Sequence, residues 1–212
     1  MNFNDFSGYI PKLTNVSLPG ETAHLKMAPP ERRELMKKFD LSLAVPKKAA
    51  VMMLIYPKNG ETNLVLILRN TYKGVHSSQI AFPGGKVETE DESYLFAALR
   101  ETEEEIGVAR STVKFICPLS SVYIPPSNYM VFPFLGYCES TPHFIADPRE
   151  VAGIVELPVK DLLDDGRIII KKMATSYSES VDVPAFEIGD HAVWGATAMM
   201  LSELKEVLKA VI

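Results

Sequence analysis

The spacing of apolar residues changes period along the chain, and the changes mark out elements. Lys47 to Pro57 reads as a β-type run. Asn59-Gly60 then marks a turn, and Asn63 to Leu68 is a second strand, so the pair predicts a hairpin. Arg69 to Gln79 is polar and loop-like, and Phe82-Pro83-Gly84-Gly85 breaks the chain. A helical period follows from about Glu92 to Ile106, with Gly107 placed as its C-terminal stop. Three β-type runs come next, Thr112 to Tyr123, Met130 to Cys138 and Val151 to Leu157. Pro158 to Leu163 predicts a short helix, and Arg167 to Lys172 and Val183 to Ile188 predict strands. Val193 to Val211 is the last helix. Trp194, Ala198, Leu201, Leu204 and Leu208 give it a packing face, part of which is open to a second copy in a homodimer.

Strands before, between and after the helices predict an α/β fold, a sandwich of helices around a mixed β-sheet. Residues 1–45 read as an N-terminal extension. In it Pro29-Pro30 precede a short helix with acids early and lysines late, Glu31 to Lys38. Residues 46–212 then form one domain, a size that a single core supports.

Composition narrows the function classes. The chain is 47% hydrophobic and 23% charged, the proportions of a soluble globular protein. No apolar run approaches the ~20 residues that span a bilayer. Met1 to Ile10 lacks the charged and apolar regions of a signal peptide, so a cytoplasmic location is expected. Cys117 and Cys138 lie in separate strand-like runs and read as reduced core residues. A net charge of −5 offers no basic footprint for nucleic acid. It leaves room for an anionic small molecule where a metal and a few cations reverse the field locally.

The chemistry concentrates in Arg100-Glu101-Thr102-Glu103-Glu104-Glu105-Ile106-Gly107-Val108. On an ideal helix, Glu101, Glu104 and Glu105 fall within roughly 100° of arc. Leu95, Leu99, Thr102 and Ile106 gather nearly opposite, as the expected core anchor. Like charges at these spacings repel, and acids in a last turn oppose the helix dipole. Arg100 is the only cation at matching helical spacing. A hard cation such as magnesium, which prefers oxygen ligands, would resolve the conflict. On helix geometry alone a metal site and a solvated acidic face both stay open. The glycine turn is equally two-valued, an ordinary strand-to-helix turn or a close approach of backbone to a ligand. A helix of carboxylates delivered by that turn raises the second reading.

Together these residues resemble the Nudix box, G-x5-E-x7-R-E-U-x-E-E-x-G-U, with U apolar. Arg100-Glu101, Glu104-Glu105 and Gly107-Val108 match it, and Thr102 stands at an apolar position. Fourteen residues, Lys86 to Leu99, separate Gly85 from Arg100, where the motif has thirteen. Glu92 keeps the seven-residue spacing to Arg100, which puts the extra residue between Gly85 and Glu92. The expansion is similar to the coenzyme A pyrophosphatase branch. So are Arg69, Gln79-Ile80-Ala81-Phe82-Pro83-Gly84-Gly85, Pro125-Pro126-Ser127-Asn128-Tyr129 and Val193-Trp194-Gly195-Ala196-Thr197-Ala198. Gly74 and Ser78 depart from the branch, and Lys73 stands next to the missing arginine.

The resemblance implies a Nudix-type α/β/α sandwich and hydrolysis of a P–O–P linkage with Mg2+ or Mn2+. It implies Glu101, Glu104, Glu105 and the Gly85 carbonyl as metal ligands, with Arg100 orienting the carboxylates. For the general base, Glu150 and Glu105 stay open. Arg69, Lys73 and Lys86 are candidate phosphate contacts or ordinary surface cations. Tyr123 and Tyr129 are candidate adenine platforms or core residues. No histidine has ligand spacing. The expected substrate is coenzyme A or acyl-coenzyme A, giving 3′,5′-ADP and the phosphopantetheine product. ADP-ribose or a dinucleotide is the nearest rival. A non-catalytic nucleotide-binding module and a prenyl diphosphate isomerase follow, the latter needing a reactive cysteine near the metal.

Overall fold

Helices Phe3–Leu13 (α1), Glu21–Lys26 (α2) and Pro30–Lys38 (α3) precede a central strand, Lys47–Lys58 (β1). This strand buries both of its faces, which is why it reads as continuously apolar. Ala50, Met52, Leu54 and Tyr56 enter one core, and Met53 and Ile55 enter the other. The computed structural model describes residues 1–38, 45–70, 79–173 and 180–212. Asn59 and Gly60 have φ of 52° and 78°, the left-handed pair that a two-residue hairpin requires. They turn β1 into Glu61–Arg69 (β2), with Ile55 opposite Leu64 and Lys58 opposite Glu61.

Ile80–Ala81 (β3) pairs with the end of β2, and Gly84–Lys86 (β4) with the start of β1. Tyr94–Ile106 (α4) follows, with Ser93 as N-cap accepting from the Phe96 amide and Gly107 as a left-handed C-cap. Lys114–Pro118 (β5) and Val122–Ile124 (β6) both lie antiparallel to Tyr129–Tyr137 (β7), which runs parallel to β1. Val151–Pro158 (β8) pairs with β2. Among the described residues these eight strands form one mixed sheet.

Val159–Leu163 (α5) leads into a second, antiparallel sheet, Ile168–Met173 (β9), Val181–Ile188 (β10) and His191–Val193 (β11). Gly195–Val211 (α6) ends the fold. The first core lies under α1, α2, α5 and α6, and the second lies under α4. The result is the α/β/α layering that the element order predicts. Among the described residues, no helix is long and apolar enough to cross a membrane.

Several elements differ from the sequence reading, among them Val193, which ends β11 instead of opening the last helix. Thr112 to Tyr123 is two strands, because Pro118 cannot donate to a ladder and the chain re-pairs from Val122. In α4 the fully buried apolar residues are Ala97, Ala98 and Ile106, with Thr102, while Leu95 and Leu99 are half-buried at the margin. Small side chains at the contact let the helix lie close to β1. Within residues 1–38, α1 and α2 join the one helix expected there, and Phe6, Leu13 and Met27 are 0–1% exposed. Glu203 of α6, fully buried, accepts hydrogen bonds from the Gly20 and Ser120 amides at 3.1 Å. Its carboxylate also lies 3.0 Å from Nε2 of His24.

Candidate active site

The site begins at the glycine turn. Gly84 has φ of 149°, and a Cβ there would stand 2.6 Å from the Val51 Cα, so only glycine fits between β4 and β1. Its amide donates to Oε2 of Glu105 at 2.8 Å. A Cβ on Gly85 would lie 2.6 Å from both carboxylate oxygens of Glu101. The turn therefore brings backbone against two of the three clustered acids.

Arg100 ties the third, Glu104, to Glu101. Its Nη1 donates to Glu101 and to Glu104, each at 3.0 Å. Its other edge forms a two-pronged pair with Asp91, Nε to Oδ1 at 2.9 Å and Nη2 to Oδ2 at 3.0 Å. The Arg100 guanidinium beside it holds the Asp91 carboxyl below the usual carboxylate range. Asp91 was not singled out in the sequence, because counting back from Arg100 lands on Glu92. Counting forward five residues from Gly85 lands on Asp91. The extra residue therefore falls after Asp91, and Glu92 is exposed.

A second cation reaches the cluster from the sheet, where helical spacing gave no sign of it. Nη1 of Arg69, on β2, stands 3.4 Å from Oε1 of Glu105. Glu103 faces away and pairs with Arg110 at 2.6 Å. Burial pushes the Glu105 carboxyl up to about 7, against the opposing pull of the Gly84 amide and Arg69. Burial also raises the Glu101 carboxyl, opposed by Arg100. Glu104 is 58% exposed. Buried acids that neighbouring acids repel, and that two arginines only partly offset, are the electrostatic condition that a divalent cation relieves.

A cavity of about 560 Å³ opens over this cluster. Gly85, Glu101, Glu104 and Glu105 line it, as do Arg69, Lys86, Arg100 and Glu150. Lys73 lies outside the described residues, together with Gly74, His76 and Ser78. Glu150 is exposed in the loop before β8, and its charge bears on both Glu101 and Glu105. Tyr129 is on the wall, whereas Tyr123 is buried with its hydroxyl donating to Asn128 at 3.0 Å. Trp194 to Thr197, singled out in the sequence only as resemblance and helix packing, also lines the cavity. Cys117 and Cys138 are buried free thiols, and burial pushes the Cys117 thiol up to about 11.

The donor set is all oxygen, as a hard cation requires, and the absent side chain of Gly85 leaves its backbone open beside Glu101. Among the described residues no three such groups close on a common point. Arg100 spans Glu101 and Glu104, while Glu105 is turned to Gly84 and Arg69. Glu104, held by Arg100 at 3.0 Å, is the exposed member of the three.

The family model of the NUDIX domain matches residues 46–177. The chain belongs to the Nudix hydrolase family. It is 31% identical over 167 residues to a Yersinia pestis protein described as the uncharacterized Nudix hydrolase NudL, spanning 77% of this chain and 80% of that one. Its fold is similar to a Nudix hydrolase from M. smegmatis, RenU, with a TM-score of 0.56 at 16% identity over 79% of this chain and 88% of the other. A MutT/nudix family protein from Enterococcus faecalis aligns with a TM-score of 0.54 at 19% identity, over 84% of this chain and 69% of that one. As a Nudix hydrolase, the protein acts on nucleoside diphosphate derivatives.

Proposed function

We propose that this Nudix hydrolase cleaves the pyrophosphate of coenzyme A or acyl-coenzyme A, releasing 3′,5′-ADP and the (acyl-)4′-phosphopantetheine. The observation that carries the pyrophosphatase chemistry is the gathering of Gly85, Glu101, Glu104 and Glu105 with Arg69 and Arg100 in one cavity. Support for the substrate comes from the stretches resembling the coenzyme A branch and from the one-residue expansion of the box.

Glu101, Glu104, Glu105 and the Gly85 carbonyl would hold Mg2+ or Mn2+. The cation, when bound, neutralises phosphate charge and acidifies water. Arg100 fixes Glu101 and Glu104, with Asp91 fixing Arg100 in turn. The Gly84 amide and Arg69 fix Glu105, which favours Glu105 as a ligand. That leaves the exposed Glu150 to take the proton from water as its oxygen bonds to phosphorus. The P–O bond to the bridging oxygen breaks, and the second phosphate departs. Arg69 and Lys86 are assigned to the non-bridging phosphate oxygens, and Lys73, beside the missing arginine at Gly74, to a phosphate of the substrate.

Mass spectrometry of products from coenzyme A, ADP-ribose, reduced NAD and diadenosine polyphosphates with magnesium tests the reading. We expect 3′,5′-ADP and 4′-phosphopantetheine from coenzyme A. Cleavage of ADP-ribose or a dinucleotide with coenzyme A left intact would overturn the substrate. We expect Glu104→Gln to lose turnover by orders of magnitude while staying folded, and full activity would remove the cluster from the mechanism.

A further inference from the structure

The helix α3 lies ahead of the segment matched by the NUDIX family, yet it reaches the same cavity. Arg32 lines that cavity and is only 9% exposed. Its Nη2 donates to the Tyr123 carbonyl, so the guanidinium sits beside β6. The strand registers locate that point. Gly85 stands opposite Ala50, Ala50 opposite Phe132, and Met130 opposite Tyr123. The strands run β4, β1, β7, β6, so Tyr123 is three strand spacings, ~14 Å, across the sheet from the glycine beside Glu101, and two residues, ~7 Å, along it. A pyrophosphate held by the α4 glutamates does not extend that far. Another part of the same substrate does.

The surroundings of Arg32 sharpen its effect. Pro29, Ile124 and Pro126 share this wall, and apolar neighbours strengthen the attraction between a guanidinium and an anion. The planar guanidinium matches two oxygens of a phosphate. In the substrate proposed above, pantetheine is uncharged, and the one anion remote from the pyrophosphate is the phosphate monoester on the ribose. We infer that Arg32 is a specificity-determining residue that binds this ribose phosphate, so that a segment outside the family domain selects the substrate. The inference rests on the coenzyme A reading for the identity of the anion.

Calorimetry with 3′,5′-ADP and with AMP, in the presence of magnesium, tests it on the full chain. Wild type should bind 3′,5′-ADP about tenfold tighter than AMP, the order expected for charge-assisted hydrogen bonds. Arg32→Met, which keeps an apolar stem, should bring the two affinities together by weakening 3′,5′-ADP alone, and Arg32→Lys should restore part of the gap. In turnover, Arg32→Met should raise KM for coenzyme A, spare kcat, and leave dephospho-coenzyme A unchanged. A wild type that does not discriminate, or an undiminished gap in Arg32→Met, overturns the inference. Equal weakening of both ligands overturns it too, because an arginine that merely anchors α3 on Tyr123 would behave that way. If coenzyme A is not hydrolysed but the gap exists and depends on Arg32, the substrate reading fails and this inference stands. If coenzyme A is hydrolysed and Arg32→Met leaves its KM unchanged, the reverse holds.

Discussion

Glu105 is 2% exposed, and its burial raises the carboxyl from an ordinary 4.5 to about 7. Without metal, the folded protein therefore holds a proton that the unfolded chain gives up near 4.5. The stabilisation this group lends is fully present below that value and is lost as pH rises through about 7. The melting temperature of metal-free Glu105→Gln, relative to wild type, should climb across this window and level off above it. A difference constant with pH would mean that the carboxyl titrates normally. A second residue-scale expectation separates neighbours. Asp91 holds Arg100 and Glu92 is exposed, so Asp91→Ala should lower magnesium affinity or turnover by about 10- to 100-fold. Glu92→Ala should leave both unchanged, and the opposite pattern would restore Glu92 to the box. The shared face of Glu101, Glu104 and Glu105 was legible because helical geometry alone sets it. Asp91 and the pairing of Arg69 with Glu105 were not, because the path of a turn and the pairing of strands decide which distant residue meets which.

At the scale of elements, α4 shows how far a stripe pattern reaches. Spacing alone puts Leu99 in the middle of the apolar stripe, where a fully buried leucine cut to alanine costs roughly 2–5 kcal/mol. Leu99 is half-buried, and Ala98 is fully buried beneath the same helix. Leu99→Ala should therefore cost only about 1 kcal/mol. Ala98→Leu should cost about 1–3 kcal/mol by overpacking against β1. Urea denaturation of the two variants gives both values, and a larger loss at Leu99 would put that residue back at the centre of the contact. The hairpin of β1 and β2 and the Gly107 cap were legible, since each has a local signal. The break between β5 and β6 was less so. Its cause is partly remote, in a loop whose Ser120 amide is bound by Glu203.

The whole molecule is three layers, and that much followed from the order of strands and helices. The manner in which its first residues join the core did not. Pro11 inside α1 obscures the helical pattern, yet Phe6, Leu13 and Met27 are essentially fully buried. At about 1.5–3 kcal/mol each, these three side chains rival the net stability of a typical domain, ~5–15 kcal/mol. Deletion of residues 1–28 should abolish or severely weaken cooperative thermal unfolding in circular dichroism. A melting curve like that of the full chain would show that the segment only rests on the core. The contacts of Glu203 bear on how the protein is made. One carboxylate collects Gly20, His24 and Ser120, and further along α6 the Val211 carbonyl accepts from Lys12. A ribosome releases the first of these residues some 180 positions before the last, as the separation of His24 and Glu203 requires. At about 5–20 residues per second, the N-terminal helices wait roughly 10–40 seconds for their partner. During that interval the faces of α1 and α2 that pack on α6 have no native partner, so the first core cannot close until the last helix has left the exit tunnel.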